Sequence, residues 1–143
     1  MKFHHATIQD QIIYHEGIRL KPYQCTAGKL TIGIGRNLDD AGISKPEALM
    51  MLKNDIESVT DDLMFLFGRM VFDKFTEGRK RALIDLRFNI GGARFRDFQK
   101  MIHAIRVGDW QEAAEQLKAS LWWNQVQDNR RDTLYAQIKT GEP

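Results

Sequence analysis

Three side chains able to do acid–base chemistry stand close together in the stretch EGIRLKPYQCTAGKLTIGIG: Glu16, Cys25 and Thr31. A carboxyl group can protonate a departing oxygen, a thiolate can take a proton from water, and a hydroxyl can hold that water in place. Taken singly, none of them marks a site. A glutamate at a helix end is commonly solvated, and a lone cysteine is commonly a small buried hydrophobe. The elements that must position them carry more information. Ile8, Ile12 and Ile13 share one face of a short helix, with Thr7 as its N-cap and Gly17 as the residue just past its end. Glu16 then falls in the last turn, where the negative end of the helix dipole disfavours an ionised carboxylate. Tyr23 to Cys25 and Lys29 to Ile34 have strand-like composition around Ala27-Gly28, which predicts a hairpin. Alternation puts Thr31 on the face opposite Ile32 and Ile34. A hairpin folding back over the helix end gathers Glu16, Cys25 and Thr31 around one cleft.

The spacing is Glu, eight residues, Cys, five residues, Thr, embedded in EG-x-RLK-x-Y and TIGIG. Farther on come GISKPEA, RKRALIDLRFNIG, GDWQEAAEQL and SLWWNQ, followed by an Asn-Arg pair. In these motifs the chain resembles the phage lysozymes (endolysins) of glycoside hydrolase family 24, the T-even phage type, over nearly its whole length. The resemblance implies an α+β, mainly helical, lysozyme-like fold, with a small N-terminal β-hairpin lobe joined by a long helix to a larger helical lobe. It implies one lysozyme-like domain over residues 1–143, with the hairpin lobe at about 17–43 and the helical lobe at about 60–143 together with the N-terminal helix. The segment between TIGIG and the long helix is short for the family, so the small lobe is expected to be little more than its hairpin.

By resemblance Glu16 is the catalytic acid, Cys25 occupies the position of the second catalytic group, and Thr31 helps hold water or substrate. Family members carry Asp or Cys at that second position, and the two differ physically. A free thiol ionises near pH 8.5 and an Asp near 3.9, so most of Cys25 is expected to be uncharged at neutrality, more so beside a Glu16 carboxylate. Asn37, Phe88, Gln116 and Arg130 stand at substrate-binding positions by resemblance, Arg130 matching the arginine that pairs with the catalytic glutamate. Met101 replaces a family serine. Phe88 and Met101 fit a helical core equally well. Trp122 and Trp123 invite a sugar-stacking role, although two tryptophans in a helical lobe are more often core. No cofactor or metal is implied.

The remaining elements follow from caps and stripes. Ser44-Lys45-Pro46-Glu47 is a capping-box signature opening the longest helix, with Ala48, Leu52, Ile56, Val59, Leu63 and Leu66 as its apolar stripe. Gly68 to Phe75 breaks the pattern. Thr76 caps a central helix that ends at Gly91-Gly92, with a glycine at positive φ. One helix is expected over Phe95 to Val107, stopping at Gly108. Asp109 with Glu112, Ser120 and Asn129 are expected to cap three more, the last with Leu134 and Ile138 inward.

Composition excludes several classes. The single cysteine rules out an internal disulfide, and no apolar run approaches the ~20 residues a membrane span needs. MKFHHATIQDQ lacks the apolar core of a signal peptide. A net charge of +2 is too small to argue for nucleic acid. The clusters Arg79-Lys80-Arg81 and Arg94, Arg96, Lys100 can attract an anionic polymer or form a solvated helix face.

The reading is therefore a muramidase that cleaves the β-1,4 bond between N-acetylmuramic acid and N-acetylglucosamine of bacterial peptidoglycan, acting as a monomer without nucleic acid or membrane insertion. It is expected to stay in the host cytoplasm until a holin releases it to the wall. A lytic transglycosylase, which needs one glutamate, and a catalytically inactive peptidoglycan-binding module are the alternatives.

Overall fold

The computed structural model describes residues 4–143. Thr7 opens the first helix, α1 (Ile8–Glu16), by accepting from the Asp10 backbone N–H through its side chain, and Gly17 ends it at φ 72°. No residue of α1 is buried, and Ile8 and Ile12 are exposed, so its apolar face is left open.

Three strands follow: β1 (Arg19–Gln24), β2 (Leu30–Gly33) and β3 (Arg36–Asn37), antiparallel in the order β1-β2-β3. Tyr23 faces Thr31 across the first pair and Thr31 faces Asn37 across the second, with a bulge between Arg19 and Tyr23. The expected hairpin is present. The short β3 goes beyond it, and hydropathy did not announce it because Arg36 and Asn37 are polar. The polar Thr31 is the buried residue of β2, whereas Ile34 is exposed.

The capping box forms as the sequence predicts. The Ser44 N–H donates to Glu47 Oε1 (2.9 Å), and the Glu47 N–H donates to Ser44 Oγ (3.3 Å). It opens α2 (Lys45–Phe67), which at 23 residues is the longest element. Val59, Leu63 and Phe67 in its C-terminal half are buried, while Leu52 and Ile56 remain exposed, so the predicted stripe packs over only half its length. By internal packing the chain forms two compact units, Met1–Met50 and Met51–Pro143, and the boundary falls within α2.

The second unit is helical. A short α3 (Arg69–Asp73) occupies the stretch expected to be irregular. Thr76 caps α4 (Glu77–Ile90), whose C-terminal end closes on Gly91 at φ 82°, the Gly91 N–H donating to the Arg87 carbonyl. The helix expected over Phe95 to Val107 is two: α5 (Gly92–Arg96) and α6 (Gln99–Arg106). The chain turns at Asp97-Phe98, where backbone bonds of the tighter 3₁₀ spacing replace the α pattern. Asp109 caps α7 (Trp110–Lys118) and Ser120 caps α8 (Leu121–Gln125). The last helix, α9 (Asp128–Thr140), has Gln127 and not Asn129 at its N-cap position, and the Gln127 side chain makes no capping bond.

α4 packs along α9, and α7 packs against both α6 and α9. Leu83, Leu86, Phe95, Ile105, Leu117, Leu134 and Ile138 form the centre of this core. Each such side chain contributes about 1.5–3 kcal/mol of burial.

Two members of the basic clusters, Arg79 and Arg96, make tertiary contacts. The Arg79 Nε donates to the Ile138 carbonyl (3.0 Å), and its guanidinium lies 4.5 Å over the Trp110 ring. Arg96 grips both oxygens of Asp62 and Arg87 Nε takes one of them, at 2.7–2.9 Å. Sequence reading could not foresee this pairing, because Asp62 is more than twenty residues from either arginine.

Candidate active site

In the first unit, Glu16 is the last residue of α1, and its carboxyl lies against the backbone of Gly35, in the turn between β2 and β3. Cys25 sits where β1 turns toward β2. Its backbone N–H donates to the Lys29 carbonyl (2.9 Å), and the Gly28 N–H donates to the Cys25 carbonyl (2.8 Å), which fixes the turn. The thiol is free and half-buried.

Hydrogen bonding to the backbone at Lys29, and next at Ala27, holds the Cys25 thiol below its usual ionisation range. Partial desolvation works the other way, and the Thr31 hydroxyl assists the lowering. This overturns the expectation of a thiol pushed upward: backbone donors, which sequence cannot place, outweigh desolvation.

Thr31 is buried in β2, and its hydroxyl donates to the Lys29 carbonyl (2.9 Å). A hydroxyl rotor has one proton, so it serves that carbonyl while the thiol is neutral and can turn to the thiolate once that forms. Asn37, opposite Thr31 on β3, donates to Asp40 Oδ2 (2.9 Å) and accepts from the Asp40 N–H (3.0 Å), which organises the following loop. Cys25, Thr31 and Asn37 thus lie on one small sheet. Arg36 braces it from β3, donating to Glu47 Oε1 at 2.8 Å and to the Gly42 carbonyl at 3.2 Å. Arg36 is the leading reason the Glu47 carboxyl falls from about 4.5 to about 2. Glu47 therefore both caps α2 and clamps β3, and only the first role was legible in the capping-box pattern.

The other predicted positions lie in the helical unit. Phe88 on α4 is exposed. Arg130 Nε donates to Asp85 Oδ1 at 2.8 Å, and both residues line a groove of about 320 Å³ with Gln127, Asn129 and Thr133. Asp85 was missed by sequence reading. Its only signal is a position one helical turn before Phe88, on a helix otherwise rich in arginine. Gln116 on α7 donates to Glu112 Oε1 (2.6 Å) and lines different cavities, one of about 580 Å³ and one of about 410 Å³. Gln116 and Arg130 therefore do not share a pocket. Met101 is buried in the core. Trp122 is also buried, its Nε1–H donating to Asn89 Oδ1 (2.8 Å), so it is not open to a sugar face. Trp123 packs edge-on against Tyr135.

Chemically, the first unit offers an acid held at a helix end, and a thiol with lowered ionisation beside a buried hydroxyl. Among the described residues no helix is long and apolar enough to cross a membrane.

A sequence model of the phage lysozyme family matches residues 14–138. An endolysin of Acyrthosiphon pisum secondary endosymbiont phage 1 is 31% identical over 123 residues, covering 83% of this chain and 78% of its own. Probable T4-type lysozyme 2 of Dictyostelium discoideum is 26% identical over 164 aligned residues, covering 95% of each chain. The pre-baseplate central spike protein Gp5 of Enterobacteria phage T4 is 28% identical over 88% of this chain, which spans 26% of that protein.

Proposed function

Since the chain belongs to the phage lysozyme family, we propose that it works through Glu16 as proton donor, Cys25 as base and Thr31 as the residue that holds the attacking water. The enzyme is a muramidase endolysin, hydrolysing the β-1,4 bond between N-acetylmuramic acid and N-acetylglucosamine in the peptidoglycan of the bacterial wall. Glu16 gives its proton to the glycosidic oxygen as the bond to the anomeric carbon breaks. The Cys25 thiolate takes a proton from a water on the opposite sugar face, and the resulting hydroxide completes the new bond. Solvent then returns the thiol proton to Glu16. Asn37, Phe88, Gln116 and Arg130 contribute binding contacts to the glycan, with Asp85 holding the Arg130 guanidinium in place.

The observation that supports this reading is the set of hydrogen bonds lowering the Cys25 thiol. They enlarge the thiolate fraction, which the general-base step needs. A lytic transglycosylase activates no water and would draw nothing from them.

Glu16→Gln tests the acid. A folded variant is expected to lose about 10²–10⁴-fold in lysis rate, and near-parental clearing of purified sacculi would end this assignment. Mass spectrometry of the fragments tests the reaction. Hydrolysis leaves reducing ends, whereas 1,6-anhydro ends, each lighter by one water, would show a transglycosylase. Sacculus binding with no fragments at all would show an inactive binding module.

We also propose that the enzyme acts as a monomer, without nucleic acid or membrane insertion, and passes from the host cytoplasm to the wall when a holin opens the membrane.

A further inference from the structure

Gly35 lies in the turn between β2 and β3, directly before Arg36, and has φ +69°. A Cβ placed on its backbone would stand 2.7 Å from Glu16 Oε2, 2.9 Å from Glu16 Cδ and 3.2 Å from Glu16 Cγ. Carbon does not approach a carboxyl this closely in a relaxed structure, so the glutamate must give way to any side chain at this position. Three consecutive atoms of Glu16 therefore rest on a surface that exists only because residue 35 has no side chain.

Glu16 is also constrained from its other end. It is the last residue of α1, and Gly17 closes that helix with an N–H donated to the Ile13 carbonyl at 2.7 Å. Its backbone is thus fixed by the helix end, and its exposed side chain meets the bare backbone of Gly35 on one side. A proton donor gains from such restraint, because a misplacement of about 1 Å can cost ~10²-fold in rate.

We propose that Gly35 is a positioning residue for the proton donor: its bare backbone is the floor that sets where the Glu16 carboxyl stands. This rests on the assignment of Glu16 as the acid. A side chain at residue 35 displaces the carboxyl from the glycosidic oxygen without altering the acid itself.

Gly42 supplies the control. It lies in the same unit, has φ +60°, and an added Cβ there meets nothing within 4 Å. Gly42→Ala carries the backbone strain of an L-residue at positive φ and leaves Glu16 untouched. Gly35→Ala carries that strain together with the collision.

With soluble peptidoglycan fragments, Gly35→Ala is expected to lower kcat by roughly 10²-fold, to leave KM near the parental value and to shift the pH–rate profile. Gly42→Ala is expected to leave kcat, KM and profile unchanged. A Gly35→Ala enzyme with the kcat and pH profile of Gly42→Ala would overturn the proposal.

A thermal cycle reads the contact independently of activity, and it holds even if Gly35→Ala is poorly folded. Adding Gly35→Ala to Glu16→Ala should depress Tm less than adding it to the parent, because the carboxyl it strikes is gone. Equal losses in the two backgrounds would refute the contact. If Glu16→Gln proves fully active, the acid assignment falls, while the cycle still reports whether Gly35 holds Glu16.

Discussion

Cys25 is the residue at which this chain's chemistry can be tested most sharply. A base must be ionised while its partner acid is still protonated, and a carboxyl ionises about four to five pH units below an ordinary thiol. If Glu16 is the acid and Cys25 the base, as proposed, productive enzyme is a minor species, and each lowering of the thiol enlarges it. The hydrogen bonding at Lys29 and Ala27 acts in that direction. The rate should follow a bell against pH, with limbs belonging to the Glu16–Cys25 pair jointly. Cys25→Asp replaces a thiol by a carboxyl, so its bell should move toward acid while substantial activity is kept. Cys25→Ser should be strongly impaired, because a serine hydroxyl is a far weaker base, and alkylation of Cys25 should stop lysis. Side-by-side lysis of the same sacculi decides between base and filler: wild-type-like rates and an unchanged pH profile in both variants would remove Cys25 from the mechanism.

At the level of elements, the end of α4 carries a clear energetic prediction. Gly91 closes that helix at φ 82°, its N–H donating to the Arg87 carbonyl (3.0 Å), and an added Cβ meets nothing within 4 Å. Gly91→Ala therefore probes conformation alone, free of steric collision. It should cost about 1 kcal/mol or more and lower the thermal midpoint without changing the lysis rate per folded molecule. An unaltered midpoint would mean that the backbone there relaxes to negative φ at no cost.

At the scale of the whole molecule, two carboxyls among the described residues hold charge well below the normal range, one in each compact unit. Glu47 is lowered to about 2 chiefly by Arg36, and Asp62 to about 2 chiefly by Arg96, with Arg87 adding to it. A carboxyl whose folded ionisation is depressed stabilises the fold above its unfolded value, and that contribution is lost as pH falls through the folded value. Stability should therefore decline from about pH 4.5 toward pH 2. Asp62→Asn should lower stability at neutral pH by about 1.5–3 kcal/mol, the range for hydrogen bonds to a charged group. It should also flatten the acid decline, since one of the two responsible groups no longer titrates. Thermal unfolding from pH 7 to pH 2 reads both effects. Parallel curves for parent and variant would show that Asp62 is not a source of the acid sensitivity.

The sequence by itself determined what short-range rules govern. The Thr7, Ser44, Thr76, Asp109 and Ser120 caps act within three residues, and Leu134 and Ile138, one turn apart, share the apolar face that is buried. The hairpin and the placement of Glu16 at a helix end were legible for the same reason. Only the tertiary structure decided the rest, where the partner is distant in sequence or is backbone. Arg96 reached Asp62, Arg130 reached Asp85, and Arg79 reached the last carbonyls of α9, and no spacing in the sequence names any of these partners. The break at Asp97-Phe98, the open half of the α2 stripe and the Gln127 cap position of α9 are visible only in the fold. The state of the Cys25 thiol belongs here too. Periodicity and composition describe side chains, whereas the groups that lower that thiol are backbone donors whose direction exists only once the turn has folded.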